Sequence, residues 1–151
     1  LGEELDHVRS YLMIEKARFE DRLQVDEEVD EALAELPIPA FTLQPIVENA
    51  VKHGTSTLLG QGLITISARV DGDQAVLSVS DNAGALCEGE RAAPGDETIR
   101  GLGMRIVDKR LESLYGDACS LSSRCDPGEL TSIELRLPLP DAEPQRQGAS
   151  R

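Results

Sequence analysis

Between Gln44 and Gly54 the chain reads QPIVENAVKHG, which places Glu48, Asn49, Lys52 and His53 within six positions of one helical segment. Pro45, Asn49, Lys52 and His53 stand at i, i+4, i+7 and i+8, so at helical period they share an edge away from the apolar row Leu43, Val47 and Ala50. A carboxamide oxygen is a hard, neutral ligand that suits Mg²⁺, an ion that takes few protein ligands and prefers phosphate oxygens. A lysine one turn on supplies a point charge for those same phosphates. An exposed polar helix edge has the same pattern, so the segment alone leaves both readings open.

Two further places carry chemistry. In AVLSVSD, Leu77, Val79 and Asp81 alternate onto one strand face, so a carboxylate follows two inward aliphatic residues. A buried carboxylate needs a hydrogen-bond donor. The exocyclic amine of adenine in an apolar pocket is one candidate and a backbone N–H is another. The stretch GLGM, Gly101 to Met104, then opens a helix: glycines let a backbone approach a phosphate, and the helix N-terminus offers free N–H groups and a positive dipole end. It follows no strand of a βαβ unit, which excludes a Rossmann reading, and a plain flexible joint is the alternative.

These residues must be positioned by a mainly aliphatic core, because 151 residues include two Phe, two Tyr and no Trp. The length is that of one domain. Twenty-eight acids against fifteen bases give a net charge of -13, which argues against nucleic acid as a partner. A polyanionic ligand has to be held locally. Cys87, Cys119 and Cys125 are odd in number and lack C-x-x-C spacing, so neither a disulfide framework nor a zinc site is expected, and a reduced, cytoplasmic setting follows. No apolar run approaches the roughly twenty residues of a membrane span. The chain opens LGEELDH without Met, which reads as part of something longer in which any membrane anchor would lie.

Periodicity orders the elements. Leu1, Leu5, Val8 and Leu12 form a heptad-like helical stripe that Phe19 resumes, and residues 21 to 35, with seven acids, enclose a short strand in RLQVDEEV. Leu43, Ile46, Val47 and Ala50 mark a second helix after Pro37 and Pro39. Ile64, Ile66, Ala68 and Val70 alternate with polar residues, DGD turns the chain, and QAVLSVSD returns it as a hairpin. Ala83 to Arg100 has no period and reads as a lid or binding loop. Met104, Val107, Leu111 and Leu114 share a face of a third helix stopped by Gly116, and a second hairpin turns at DPGE. Beyond Pro138 the tail is polar. Helices between hairpins predict an α+β, two-layer sandwich, a mixed sheet with helices on one face.

Together, in order and spacing, VENAVKHG, SVSDNAGA and GLGMRIVDKRLESLYG resemble the N box and two glycine boxes of the histidine kinase, gyrase, Hsp90 and MutL ATP-binding superfamily. The segments LQPIVENAVKHG and GLGMRIVDKRL are most similar to LytS-type sensor histidine kinases, and the resemblance covers residues 3 to about 138. It implies a Bergerat-type fold with a mostly antiparallel sheet, and a division into residues 1–22, the end of a dimerisation and phosphoacceptor region, residues 23–138, the ATP-binding domain, and a disordered tail 139–151.

The resemblance further implies that Asn49 binds Mg²⁺, that Lys52 and His53 contact the phosphates of ATP, and that Asp81 recognises the adenine amine. Asn82, Gly84, Gly101, Leu102, Gly103 and Met104 would complete the cofactor site, with Asn49 and Lys52 serving catalysis. The γ-phosphoryl would pass to a histidine outside this sequence, on a helix of the same protein that forms a homodimer, and onward to a response regulator. His7 does not fit as that acceptor, and the whole protein would sit in the bacterial inner membrane with this domain cytoplasmic. Two rivals remain. The pattern D-x-G-x-G is here Asp81-Asn82-Ala83-Gly84-Ala85, which admits a degenerate interaction module of the same fold. An ATP hydrolase or anti-sigma-type serine kinase is the other, but members of that kind resemble one another in a Glu four residues before the N-box Asn, a position held here by Pro45.

Overall fold

The computed structural model describes residues 1–55, 59–84 and 102–140. Three helices, α1 (Gly2–Phe19), α2 (Leu43–Asn49) and α3 (Leu102–Tyr115), lie on a five-stranded sheet of β1 (Leu23–Val29), β2 (Gly62–Asp71), β3 (Gln74–Asp81), β4 (Ser120–Asp126) and β5 (Leu130–Pro138). The strand order is β1-β2-β3-β5-β4; β1 runs parallel to β2 and every other pair is antiparallel. The expected mixed, mostly antiparallel sheet and its element order are both present.

Each strand sorts its side chains by parity. Ile64, Ile66 and Ala68 of β2, Ala75, Leu77 and Val79 of β3, and Ile133, Leu135 and Leu137 of β5 are buried beneath the helices. The opposite face carries Thr65, Ser67, Ser78, Ser80 and Ser132, and Ser67 and Ser78 share a 2.8 Å hydroxyl hydrogen bond. Val76 is the apolar intruder there. Arg69 and Arg136 flank it in register, and both pair with Glu134.

The helices bury the rows that periodicity selects. Leu5, Val8 and Leu12 of α1, Leu43, Ile46 and Val47 of α2, and Met104, Val107 and Leu111 of α3 join one core. Full burial of such a side chain contributes about 1.5–3 kcal/mol. The α1 stripe thus packs against its own domain, and Arg9 Nε ties the helix to β1 by donating to Glu27 Oε2 at 3.0 Å.

Some details depart from expectation. Leu114 is 61% exposed, because α3 ends there and Tyr115 instead packs on the core, with its hydroxyl donating to Pro37 O at 3.3 Å. The second helix does not continue evenly through QPIVENAVKHG: after Asn49 it widens into a π-helical turn, Ala50–Thr55. Cys125 is disulfide-bonded, where no disulfide was expected, while Cys119 is a free thiol. Leu139 N donates to Asp73 O at 3.0 Å, fixing one residue past the expected end of the domain. Most of the proposed lid and of the tail lies outside the described residues.

Candidate functional site

The end of β3 and the end of α2 meet at one place. Asp81 closes β3 in register with Ile64 on one side and Thr131 on the other, and it is 4% exposed. Its Oδ1 accepts from Ala83 N at 2.9 Å, and the Gly84 N–H and the Thr131 side chain also hydrogen-bond to the carboxylate. Burial pushes the Asp81 carboxyl above the ordinary carboxylate range, against the opposing pull of those donors and of nearby His53. A carboxylate offers about four acceptor sites, and Ala83, Gly84 and Thr131 occupy three of them.

The π-helical turn presses α2 onto that carboxylate. A Cβ on Gly54 would stand 2.8 Å from Asp81 Cβ and 2.9 Å from its Cγ. Only a glycine permits so close an approach, and the i→i+5 turn delivers it where a regular helix would keep its radius. Asn49 is half-buried at the end of the regular part of α2, Lys52 is exposed, and His53 is half-buried within electrostatic reach of Asp81. The π turn therefore divides the predicted edge, with His53 on the Asp81 side.

The start of α3 closes the third side. A Cβ on Gly103 would lie 3.7 Å from Pro45 Cβ, so the glycine-box helix starts against the first turn of α2. Met104 is buried in the core at 1% exposure, which makes its side chain a packing residue. Leu102 opens α3, and Gly101 lies outside the described residues. Pro45 suits its place, since a first-turn residue has no intrahelical acceptor for its N–H.

The Asp81-Asn82-Ala83-Gly84 turn divides its labour. The Asn82 amide serves the backbone: its Oδ1 accepts from Leu63 N at 2.8 Å and its Nδ2 donates to Gln61 O at 3.1 Å. Ala83 is buried and its N–H is spent on Asp81, so its methyl points into protein. Gly84 is the position that needs glycine. Its φ is +57°, and a Cβ there would stand 2.2 Å from Asp126 O in the β4–β5 turn. Ala85 lies outside the described residues.

Three residues of this arrangement were not singled out by sequence. Thr131 comes to Asp81 through strand register, which no single segment reveals. Gly54 is legible only as a glycine ending the motif. Glu4, buried at 5%, caps α2 from α1, and the signal was there: it stands between Leu1 and Leu5 in the apolar stripe.

The donors near α2 fit Mg²⁺ only in one way. Asn49 offers a single neutral oxygen, and among the described residues no group of three or more His, Cys, Asp or Glu could hold a metal ion. That set suits an ion arriving on a ligand's own phosphates.

Comparison with known proteins identifies the family and the fold. The family described as histidine kinase-, DNA gyrase B- and HSP90-like ATPase matches residues 40–141. The sensor histidine kinase BtsS of Escherichia coli strain K12 is 49% identical over 141 residues, covering 93% of this chain and 24% of that protein. The sensor protein LytS of Staphylococcus haemolyticus is 32% identical over 126 residues, covering 80% of this chain and 22% of that protein. The chain therefore spans about a quarter of the length of these curated relatives. Among solved structures, the mycobacterial sensor histidine kinase MprB superposes with a TM-score of 0.58 at 20% identity, over 89% of this chain and 93% of that one, a likeness of fold.

Proposed function

The chain belongs to the histidine kinase-, DNA gyrase B- and HSP90-like ATPase family, and from that premise we propose that it is the ATP-binding catalytic domain of a LytS-type sensor histidine kinase. It binds Mg·ATP and presents the γ-phosphoryl to a histidine on a helix of the same protein outside this sequence, for relay to a response regulator. The observation that carries this reading is the buried Asp81 carboxylate at the end of β3, against which the π turn bearing Lys52, His53 and Gly54 packs directly after Asn49.

In this reading Asp81 accepts from the adenine amine, and Thr131 and the Ala83 N–H hold the carboxylate in place for it. The apolar surroundings exclude water, which strengthens that hydrogen bond and selects against a base with a carbonyl at the same position. Asn49 would hold Mg²⁺, which when bound would neutralise charge on the phosphates. Lys52 adds a cation to the same group, while His53 stands between the base and phosphate ends. No general base is needed: the work is positioning and charge neutralisation. Pro45, where hydrolases of the superfamily resemble one another in a Glu, has no proton to move. Among the described residues no helix is long and apolar enough to cross a membrane. The domain works on the cytoplasmic side, where ATP and a response regulator are found.

Titration of the purified chain with a non-hydrolysable ATP analogue, with and without Mg²⁺, tests the reading. Saturable binding that Mg²⁺ strengthens is expected, with negligible phosphate release from ATP. Absence of binding at millimolar nucleotide would leave an interaction module of the same fold as the better description, and robust phosphate release by the chain alone would favour a hydrolase.

A further inference from the structure

A helix as short as α2 cannot hold itself together, and its N-terminus shows what holds it. The first turn of any helix has backbone N–H groups without intrahelical acceptors. Thr42, at the N-cap position, makes no capping bond; its Oγ1 donates instead to Pro39 O at 2.6 Å. The acceptor comes from another helix. Glu4 of α1 takes Phe41 N on Oε1 at 2.7 Å, and Thr42 N and Leu43 N on Oε2 at 2.9 and 3.0 Å. Pro45, two residues on from Leu43, has no N–H to satisfy. Phe41 is held at φ +60°, a left-handed conformation unusual for a bulky residue, in which its N–H meets the carboxylate. A buried carboxylate at a helix N-terminus also opposes the positive end of the helix dipole.

This clamp joins two things that matter to the site. On one side stands α1, fixed by its core stripe and by Arg9 on Glu27 of β1. On the other stands α2, which rises about 9 Å from Leu43 to Asn49 at 1.5 Å per residue and then turns onto Asp81. Moving Glu4 moves the start of α2, and a helix of under two turns transmits that displacement to Asn49.

We propose that Glu4 is a positioning residue for the nucleotide site, setting through α2 where Asn49 and Lys52 meet the metal and phosphates. The inference rests on the reading of α2 as the Mg·ATP helix. It assigns the first turn of α1 a part in nucleotide affinity, so that a shift of this helix is felt as a change in the Mg²⁺-dependent part of binding.

The test uses the whole chain with Glu4→Gln and Glu4→Ala, comparing ATP-analogue affinity with and without Mg²⁺ at a temperature where circular dichroism shows each variant folded. Gln keeps one oxygen, which can serve Thr42 and Leu43, but its amide opposes the Phe41 N–H. Loss of a charge-assisted cap predicts that Glu4→Gln lowers the strengthening by Mg²⁺ about threefold and Glu4→Ala about tenfold, while Mg²⁺-free binding through Asp81 changes less. A purely structural cap lowers the melting temperature and leaves the Mg²⁺ ratio as in the wild type, and that result overturns the proposal. If Glu4→Ala does not fold, the ratio for Glu4→Gln decides alone. Wild-type protein that binds no nucleotide would instead defeat the functional reading, so the two failures are told apart.

Discussion

Gly54→Ala is the smallest change that separates the two ends of the site. The added methyl would stand 2.8 Å from Asp81 Cβ, 2.9 Å from Cγ and 3.2 Å from Oδ1. Carbon atoms in contact prefer about 3.5–4.0 Å, so a gap of roughly 0.7 Å has to be opened. Neither side yields freely. Asp81 is paired in β3 with both Ile64 and Thr131, and its carboxylate is fixed by Ala83 N. Overpacking of this kind costs about 1–3 kcal/mol, offset by the roughly 0.4–1 kcal/mol that replacing glycine gains through the unfolded chain. A net loss of about 1–2 kcal/mol lowers the melting temperature by about 2–8 °C for a domain of this size.

The larger effect falls on recognition. A displaced Asp81 loses a charge-assisted hydrogen bond to the adenine amine, worth about 1.5–3 kcal/mol or roughly 10- to 150-fold in Kd. Calorimetry for stability and titration with ATP and GTP analogues measure both. The expected signature is a lower melting temperature together with a collapse of the preference for adenine over guanine. Gly60→Ala is the control, since nothing lies within 4 Å of a Cβ there. Unchanged stability and unchanged base preference in Gly54→Ala would refute the packing of α2 on Asp81.

Other perturbations have distinct signatures. Asp81→Asn removes a charge that burial disfavours, so the fold should be as stable as the wild type or more so near neutral pH, while adenine binding weakens by about 10- to 150-fold. Because burial raises the Asp81 pKa in the folded state, its contribution to stability is fully present below the ordinary carboxylate range and is lost as pH rises through the higher folded value; nucleotide binding, which needs the carboxylate, should instead fail on acidification before the ordinary carboxylate range is reached, and the Asn variant should lose that pH dependence. Gly84→Ala meets Asp126 O at 2.2 Å in a left-handed backbone and should destabilise by about 2–4 kcal/mol in denaturant titration. Asn49→Ala, half-buried at the end of α2, should leave the circular dichroism spectrum intact and abolish the strengthening of nucleotide binding by Mg²⁺.

Much of this was legible because periodicity reports burial. Leu43, Ile46, Val47 and Ala50 announce α2, and the alternation Ile64, Ile66, Ala68 announces β2, since each row faces one hydrophobic layer. Asp81 could be read as buried for the same reason. Thr131 could not, because its contact with Asp81 depends on the pairing of β3 with β5 across fifty residues of chain. The π turn was hidden too: a one-residue widening leaves the apolar spacing of Val47, Ala50 and Val51 almost unchanged while rotating Lys52 and His53. Glu4 stands on the same face between Leu1 and Leu5, and a charge beside such a row is a signal of a buried partner. The alanines of the Asp81 turn mislead in the opposite direction, since the strained position is Gly84 and Ala83 is accommodated.

Amide-resolved NMR during titration of the chain with an ATP analogue and Mg²⁺ locates the site most directly. The account predicts that the largest shifts fall on Asn49, Lys52, Gly54, Asp81, Ala83 and Thr131, with the Asn49 and Lys52 shifts requiring Mg²⁺ and the Asp81 and Thr131 shifts persisting without it. Shifts confined to the open sheet face around Ser67, Ser78 and Ser132, or no shift at saturating nucleotide, would contradict it.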